Sequence, residues 1–316
     1  MLGLAGLFLF ATHAAMNAQS VRAQSTDVDD WQTAAGGKKS FDVTSVKPTR
    51  TFDRRSSFPL DDGDAYVPGG RLSASFPLWF YIRFAYKIAG SDQQRAAAVA
   101  HLPEWVDRDL FVIEARAEGN PTKDQMRLMM QSLLEDRFKL RVHFETKELP
   151  VFALTLVKPG TLGPKLLPHE QGPPCPGSFI PSSAPPSAGS PPREVFPPNC
   201  NTQEARVRNG VYQVGGRDST MPSLANSIYV LGSRSGEVDK PVVDRTGLSG
   251  KFDYTIVYTP GENGSPGPPD PNAPPPDPQG TPFLDAVRQQ LGLRLEPSKG
   301  SIRSLVIDHV EKPSPN

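Results

Sequence analysis

Neither charge is in excess in this sequence: 34 Lys and Arg stand against 34 Asp and Glu, a formal net charge of zero. Such a balance sets up no global field for nucleic acid or an anionic membrane surface, so nucleic acid is not an expected partner. Apolar runs long enough to span a bilayer are missing too, and no stable membrane span is expected once the N-terminus is removed. The usual catalytic signatures are also absent. Gly232-Ser-Arg-Ser-Gly236 has arginine where a GxSxG nucleophile would stand, and there is no HExxH, P-loop or GxGxxG pattern. No catalytic residues, cofactor or metal set are therefore assigned. Histidine is scarce: His13 lies in the N-terminal run, leaving His101, His143, His169 and His309. His143 and His309 sit near the ends of two strand-rich halves, where a pair could hold a metal or titrate near neutral pH. The plainer reading makes them two ordinary strand residues.

Cysteine is limited to Cys175 and Cys200. In an oxidising compartment such a pair most simply forms one disulfide, worth about 3 kcal/mol in the chain-entropy model; the alternative is two free thiols. Export is expected from the N-terminus, where Met1 to Phe10 is apolar and Val21-Arg22-Ala23 offers the small residues a signal peptidase needs. The sequence thus predicts a signal peptide over 1–23, with a periplasmic or extracellular mature chain. The competing reading, an uncleaved anchor, is disfavoured because the run falls short of the roughly 20 residues a bilayer needs.

What the sequence does have in quantity is proline, 35 of 316 residues, and it is clustered. Residues 159–206, which hold both cysteines, and 260–281, with Pro274-Pro-Pro276, therefore read as inserts, the second extended and mobile. Residues 24–40 read as a flexible N-terminal segment. The remainder repeats itself. Tyr66-Val-Pro-Gly-Gly-Arg71, Ser75-Phe-Pro77, Val106-Asp107-Arg108 and the strand-like Leu110–Ala115 recur in order as Gln213-Val-Gly-Gly-Arg217, Thr220-Met-Pro222, Val243-Asp244-Arg245 and Phe252–Val257. Phe138–Val142 likewise answers Leu291–Leu295, each followed by a turn and a terminal strand, Val151–Val157 and Ile302–Ile307.

Two helices carry clear signatures. Thr122-Lys-Asp-Gln125 is a capping box, followed by Met126, Met129, Met130, Leu133, Leu134 and Phe138 on one face. Thr281 reads as the N-cap of a second helix with Pro282 first, a stripe of Phe283, Leu284, Val287 and Leu291, and Gly292 as the stop. The expected class is α+β: two tandem diverged copies, 41–158 and 207–316, of a strand-helix-strand-helix-strand-strand unit.

Several residues remain as candidates. Asp107-Arg108 and Asp244-Arg245 would either grip a ligand in each unit or fix the turn before the central strand. Gly69-Gly70 and Gly215-Gly216 read as turn glycines with positive φ. The aromatic segment from Leu78 to Tyr86, with Trp79, would be a stacking face if exposed and core if buried. Glu104, Asp107 and Glu114 are the carboxylates a hydrolase of envelope or extracellular polymers would use.

Phe41-Asp-Val-Thr-Ser-Val-Lys-Pro48, Leu134–Leu140 with His143 and Glu145, Pro241–Gly247 and Ser304–Pro313 resemble a large paralogous family of exported acidobacterial proteins without assigned function. In some relatives a similar domain is joined to a BlaR1-type membrane metallopeptidase, which implies sensing or interaction outside the membrane; this chain has no zinc motif, so no peptidase activity carries over. The second half is also similar in element order to the small interaction domain of secretins and TonB-dependent receptors. The leading expectation is a non-catalytic binding or protein-interaction module of the cell envelope, with an unknown envelope protein or ligand as partner. The alternatives are the hydrolase and a purely structural role.

Overall fold

The structure, a computed structural model, describes residues 27–51, 58, 60, 66, 69–88, 92–177, 180, 195–208, 210–259 and 280–313. The expected signal peptide and almost all of the 260–281 insert lie outside them. Among the described residues the chain is mixed α+β, with ten strands in three sheets.

The segment expected to be flexible contains helix α1, Asp27–Ala34. Then come β1 (Val43–Thr49), β2 (Arg71–Pro77), α2 (Leu78–Ala85), α3 (Asp92–Val99), α4 (Trp105–Arg108) and β3 (Leu110–Arg116). The first sheet has the antiparallel order β1-β3-β2. Helix α2 is buried nearly all round, and the Tyr81 hydroxyl ties it to the sheet, its one proton facing the carbonyl oxygens of Ala74 and Phe111 at 2.7 and 2.8 Å. Helix α5 (Lys123–Phe138) starts at the predicted capping box, with both reciprocal bonds formed, and its methionine and leucine stripe enters the same core. Arg127 and Lys123 go in with it, at 0% and 2% exposure. The Arg127 guanidinium is carried inward by an ion pair to Asp124 at 2.5 Å and by the face of Phe84.

The second half holds β5 (Leu166–Pro168), β6 (Thr202–Arg208), β7 (Val211–Ser219), α6 (Met221–Arg234), β8 (Val242–Asp244) and β9 (Phe252–Tyr258). Its sheet runs β5-β9-β7-β6, all antiparallel. Helix α6 begins at Thr220, whose hydroxyl accepts from the N–H of Ser223. Helix α7 (Phe283–Ala286) passes into a π-helical turn, Val287–Leu291, and stops at Gly292 in the left-handed region, φ 70°. Its expected cap is different: Thr281 makes no such bond, and the Glu237 carboxylate accepts from the N–H groups of Phe283 and Leu284 at 3.0 and 3.1 Å. A distant carboxylate at a helix start satisfies the same orphan donors and the dipole as well.

The turn expected before Val151 is absent. Strand β4 runs unbroken from Arg141 to Leu156 and pairs antiparallel with β10 (Leu293–His309), from Arg141 opposite His309 to Leu156 opposite Leu293. One long partner satisfies the backbone that a turn would otherwise have to satisfy. The consequence for the cores is large. Leu154 of β4 is buried in the second core with Leu293, while Leu305 and Ile307, at the far end of β10, are buried in the first. Core membership therefore does not divide at residue 158. Between the two cores the ribbon is exposed over Thr146–Pro150 and Pro297–Lys299, and β8 adds to it in parallel, Val242–Asp244 against Phe152–Leu154.

Candidate functional site

Where β5 ends, a short 3-10 turn carries His169 beside β9, held by its N–H to the Lys251 carbonyl at 2.9 Å. On β9, Asp253 faces it. The neighbouring β7 slips register against β9 between Gly216 and Ser219. A bulge of this kind re-aims side chains and backbone donors. Here it points the Asp218 N–H at Asp253 Oδ1, 2.9 Å away, with Asp218 at φ 54°. Gly215 and Gly216, expected as turn glycines, have no positive φ: they lie in β7, and a Cβ on Gly216 would sit 2.4 Å from the Tyr254 ring. That absence of side chain lets the adjacent strands and the insert close over Arg217. In the first half Gly69 and Gly70 do have positive φ, 135° and 64°.

Arg217 is 3% exposed. Its Nε faces Asp253 Oδ2 at 3.4 Å, and its terminal nitrogens donate to the carbonyls of Pro198 at 3.1 Å, Pro173 at 2.5 Å and Pro174 at 3.3 Å. Those prolines precede the two cysteines. The sulfur atoms of Cys175 and Cys200 are 2.08 Å apart, disulfide distance, and Arg217 thus ties down both flanks of the pair.

His169 connects this charge network to the sulfur. Its Nδ1 is 2.6 Å from Asp253 Oδ1 and its Nε2 is 3.4 Å from Cys175 Sγ and 3.9 Å from Cys200 Sγ. An ionised carboxylate only accepts, so it places the Nδ1 proton on the imidazole and leaves Nε2 facing the sulfurs. The three sulfur and nitrogen atoms lie within 4.8 Å of one another, a spacing metal ligands also have. With the sulfurs bonded to each other, their lone pairs are those of a disulfide and not of the thiolates that bind metals well. No spacing in the sequence joins residues 169, 175, 200, 217 and 253; the cluster exists because three strands and an insert converge.

The other sequence candidates are dispersed. Asp107 receives two bonds from Arg95, 2.7 and 2.8 Å, and Glu104 pairs with Arg108 on the surface at 2.6 Å. Glu114 stands on exposed positions of β3. Asp244 accepts from the N–H and hydroxyl of Thr246 at 2.9 and 2.8 Å, and Arg245 is exposed. His143 and His309 have separate carboxylate partners. His143 faces Asp308 at 2.8 Å and Glu145 at 3.5 Å, which hold its imidazole above the ordinary range, Asp308 foremost; His309 faces Glu311 at 2.7 Å. Trp79 is 3% exposed and its segment packs in the first core.

An open groove of about 480 Å³ lies where the residues before β1 meet the last turns of α5. Phe41, Met129 and Leu133 line its apolar part, and Lys38, Glu135, Asp136 and Arg137 supply both signs of charge around it. Lys38 and Glu135 pair at 2.8 Å. Among the described residues no helix is long and apolar enough to cross a membrane.

Residues 80–310 match the family described as "Protein of unknown function (DUF3738)". No curated protein and no solved structure matches the chain.

Proposed function

The chain belongs to the DUF3738 family, and we propose that it is an exported, non-catalytic binding or protein-interaction module of the cell envelope. The observation that carries this reading is the groove between the segment before β1 and helix α5. It is open and lined by Phe41, Met129 and Leu133 together with side chains of both charges, the chemistry of a surface that takes a polar chain segment of a partner. The carboxylates that a polymer hydrolase would use are instead engaged by Arg95 and Arg108 or stand apart on β3. Export is supported by the apolar N-terminus and the cysteine pair at disulfide distance. We also read the two halves as diverged copies of one unit: β1-β3-β2 and β5-β9-β7 share strand order and direction, and each sheet is followed by a helix that leads into one strand of the ribbon.

Cross-linked capture from the native envelope tests the proposal, with the mature chain as bait beside a Ser132→Trp variant, whose indole would fill the groove. A partner retained by the wild type and lost by the variant is expected. Equal capture by both, or capture of nothing, contradicts it.

A further inference from the structure

The disulfide has more around it than a staple requires. Arg217 already fastens both flanks, through Pro198 on one side and Pro173 and Pro174 on the other, by bonds that do not involve the sulfurs. Yet a carboxylate-held imidazole is aimed at the sulfurs, and the pair is asymmetric: Cys175 is exposed and Cys200 is 8% exposed. Attack on a disulfide goes through the accessible sulfur and is limited by how well the other leaves as thiolate. A cation beside the leaving sulfur stabilises that thiolate.

We propose that Cys175, Cys200, His169 and Asp253 form a stoichiometric thiol–disulfide exchange site whose reaction partner is an accessible thiolate. The external thiolate attacks Cys175 Sγ. A bond forms between the incoming sulfur and Cys175, the Cys175–Cys200 bond breaks, and its electron pair leaves on Cys200 Sγ. The imidazolium of His169 supplies a proton to that sulfur from Nε2, while Asp253 holds the Nδ1 proton and the ring's orientation. A second thiolate then attacks the external sulfur of the mixed disulfide and releases Cys175 as thiolate, which takes up a proton. The protein gains two thiols, and two external thiols become one disulfide; the external thiol is the reductant. His169 Nε2 lies 3.9 Å from the leaving sulfur of Cys200 and 3.4 Å from the sulfur of Cys175, and Asp253 is a positioning residue. The charged groups around the imidazole are Asp253 on β9, Arg217 and Asp218 on β7, and Lys251, which reaches Asp218. The groove has no part in this site.

The test follows release of protein thiols from the oxidised mature chain by glutathione, with the rate expressed per glutathione thiolate. His169→Phe is expected to lower that rate about tenfold or more, and Asp253→Asn to lower it less. In the wild type the rate per thiolate should vary with pH, and in His169→Phe it should be flat. A plain staple predicts the opposite sign, since loosening the packing around the sulfurs speeds reduction. An unchanged or faster His169→Phe overturns the proposal. So does a flat wild-type profile, which decides the matter even if the variants fail to fold.

Discussion

Arg217 brings its charge to a position 3% exposed, where Asp253, with its side chain 12% exposed, is the countercharge and three proline carbonyls accept from the terminal nitrogens. Removing one partner of a buried pair leaves the other uncompensated, a larger loss than the pair's net worth. Arg217→Met should therefore lower stability by about 3 kcal/mol, read by urea unfolding of the oxidised protein. His143 is a contrasting residue, half exposed on the ribbon. Asp308 first and then Glu145 raise its pKa above the ordinary 6.5, and Lys147 first and then His143 lower that of Glu145. The sign follows from linkage. Stabilisation from a raised histidine is complete below its unfolded value and is lost as pH climbs through the folded one. An NMR titration should find the His143 midpoint above 6.5 and returned towards it in Asp308→Asn; a midpoint at or below the ordinary value contradicts this pairing.

At the scale of elements, α5 shows how far local sequence reaches. Thr122 accepts from Gln125 N–H at 3.2 Å and Gln125 Oε1 accepts from Thr122 N–H at 3.0 Å, so the box read from four residues is the box that forms. Thr122→Ala should cost about 1 kcal/mol, seen in thermal unfolding, with Thr122→Ser close to neutral. The stripe of α5 and the alternation of β3 and β9 were equally legible, because burial on one face imposes its period on the sequence. The start of α7 was legible only in position. Thr281 and Glu237 are both capable caps, and the choice of Glu237 depends on a packing no local pattern encodes. Position 217 shows the same limit. An arginine after two glycines reads as a turn, and only the closure of the insert over β7 turns it into a buried hub joining His169 and Asp253 to the cysteines. The groove had no linear signature either, since it is made by residues about a hundred positions apart.

At the scale of the whole molecule, the ribbon of β4 and β10 decides how the halves depend on each other. Each strand starts in one core and ends in the other: β4 leaves α5 for Leu154 in the second core, and β10 leaves Gly292 for Leu305 and Ile307 in the first. From sequence, Val151–Val157 and Ile302–Ile307 read as the last strands of their own halves, since Pro150 and the polar run before it look like a turn. The pairing partner that removes the turn lies about 150 residues away. The groove proposed for binding is therefore built on a core completed by β10. Ile307→Ala removes a side chain 3% exposed in that core, a change expected to cost about 2–4 kcal/mol. Hydrogen exchange on this full-length variant tests the interlaced arrangement most directly. Faster exchange in α2, α5 and β3, with β7 and β9 unchanged, is the predicted result; faster exchange confined to β7 and β9 would contradict it.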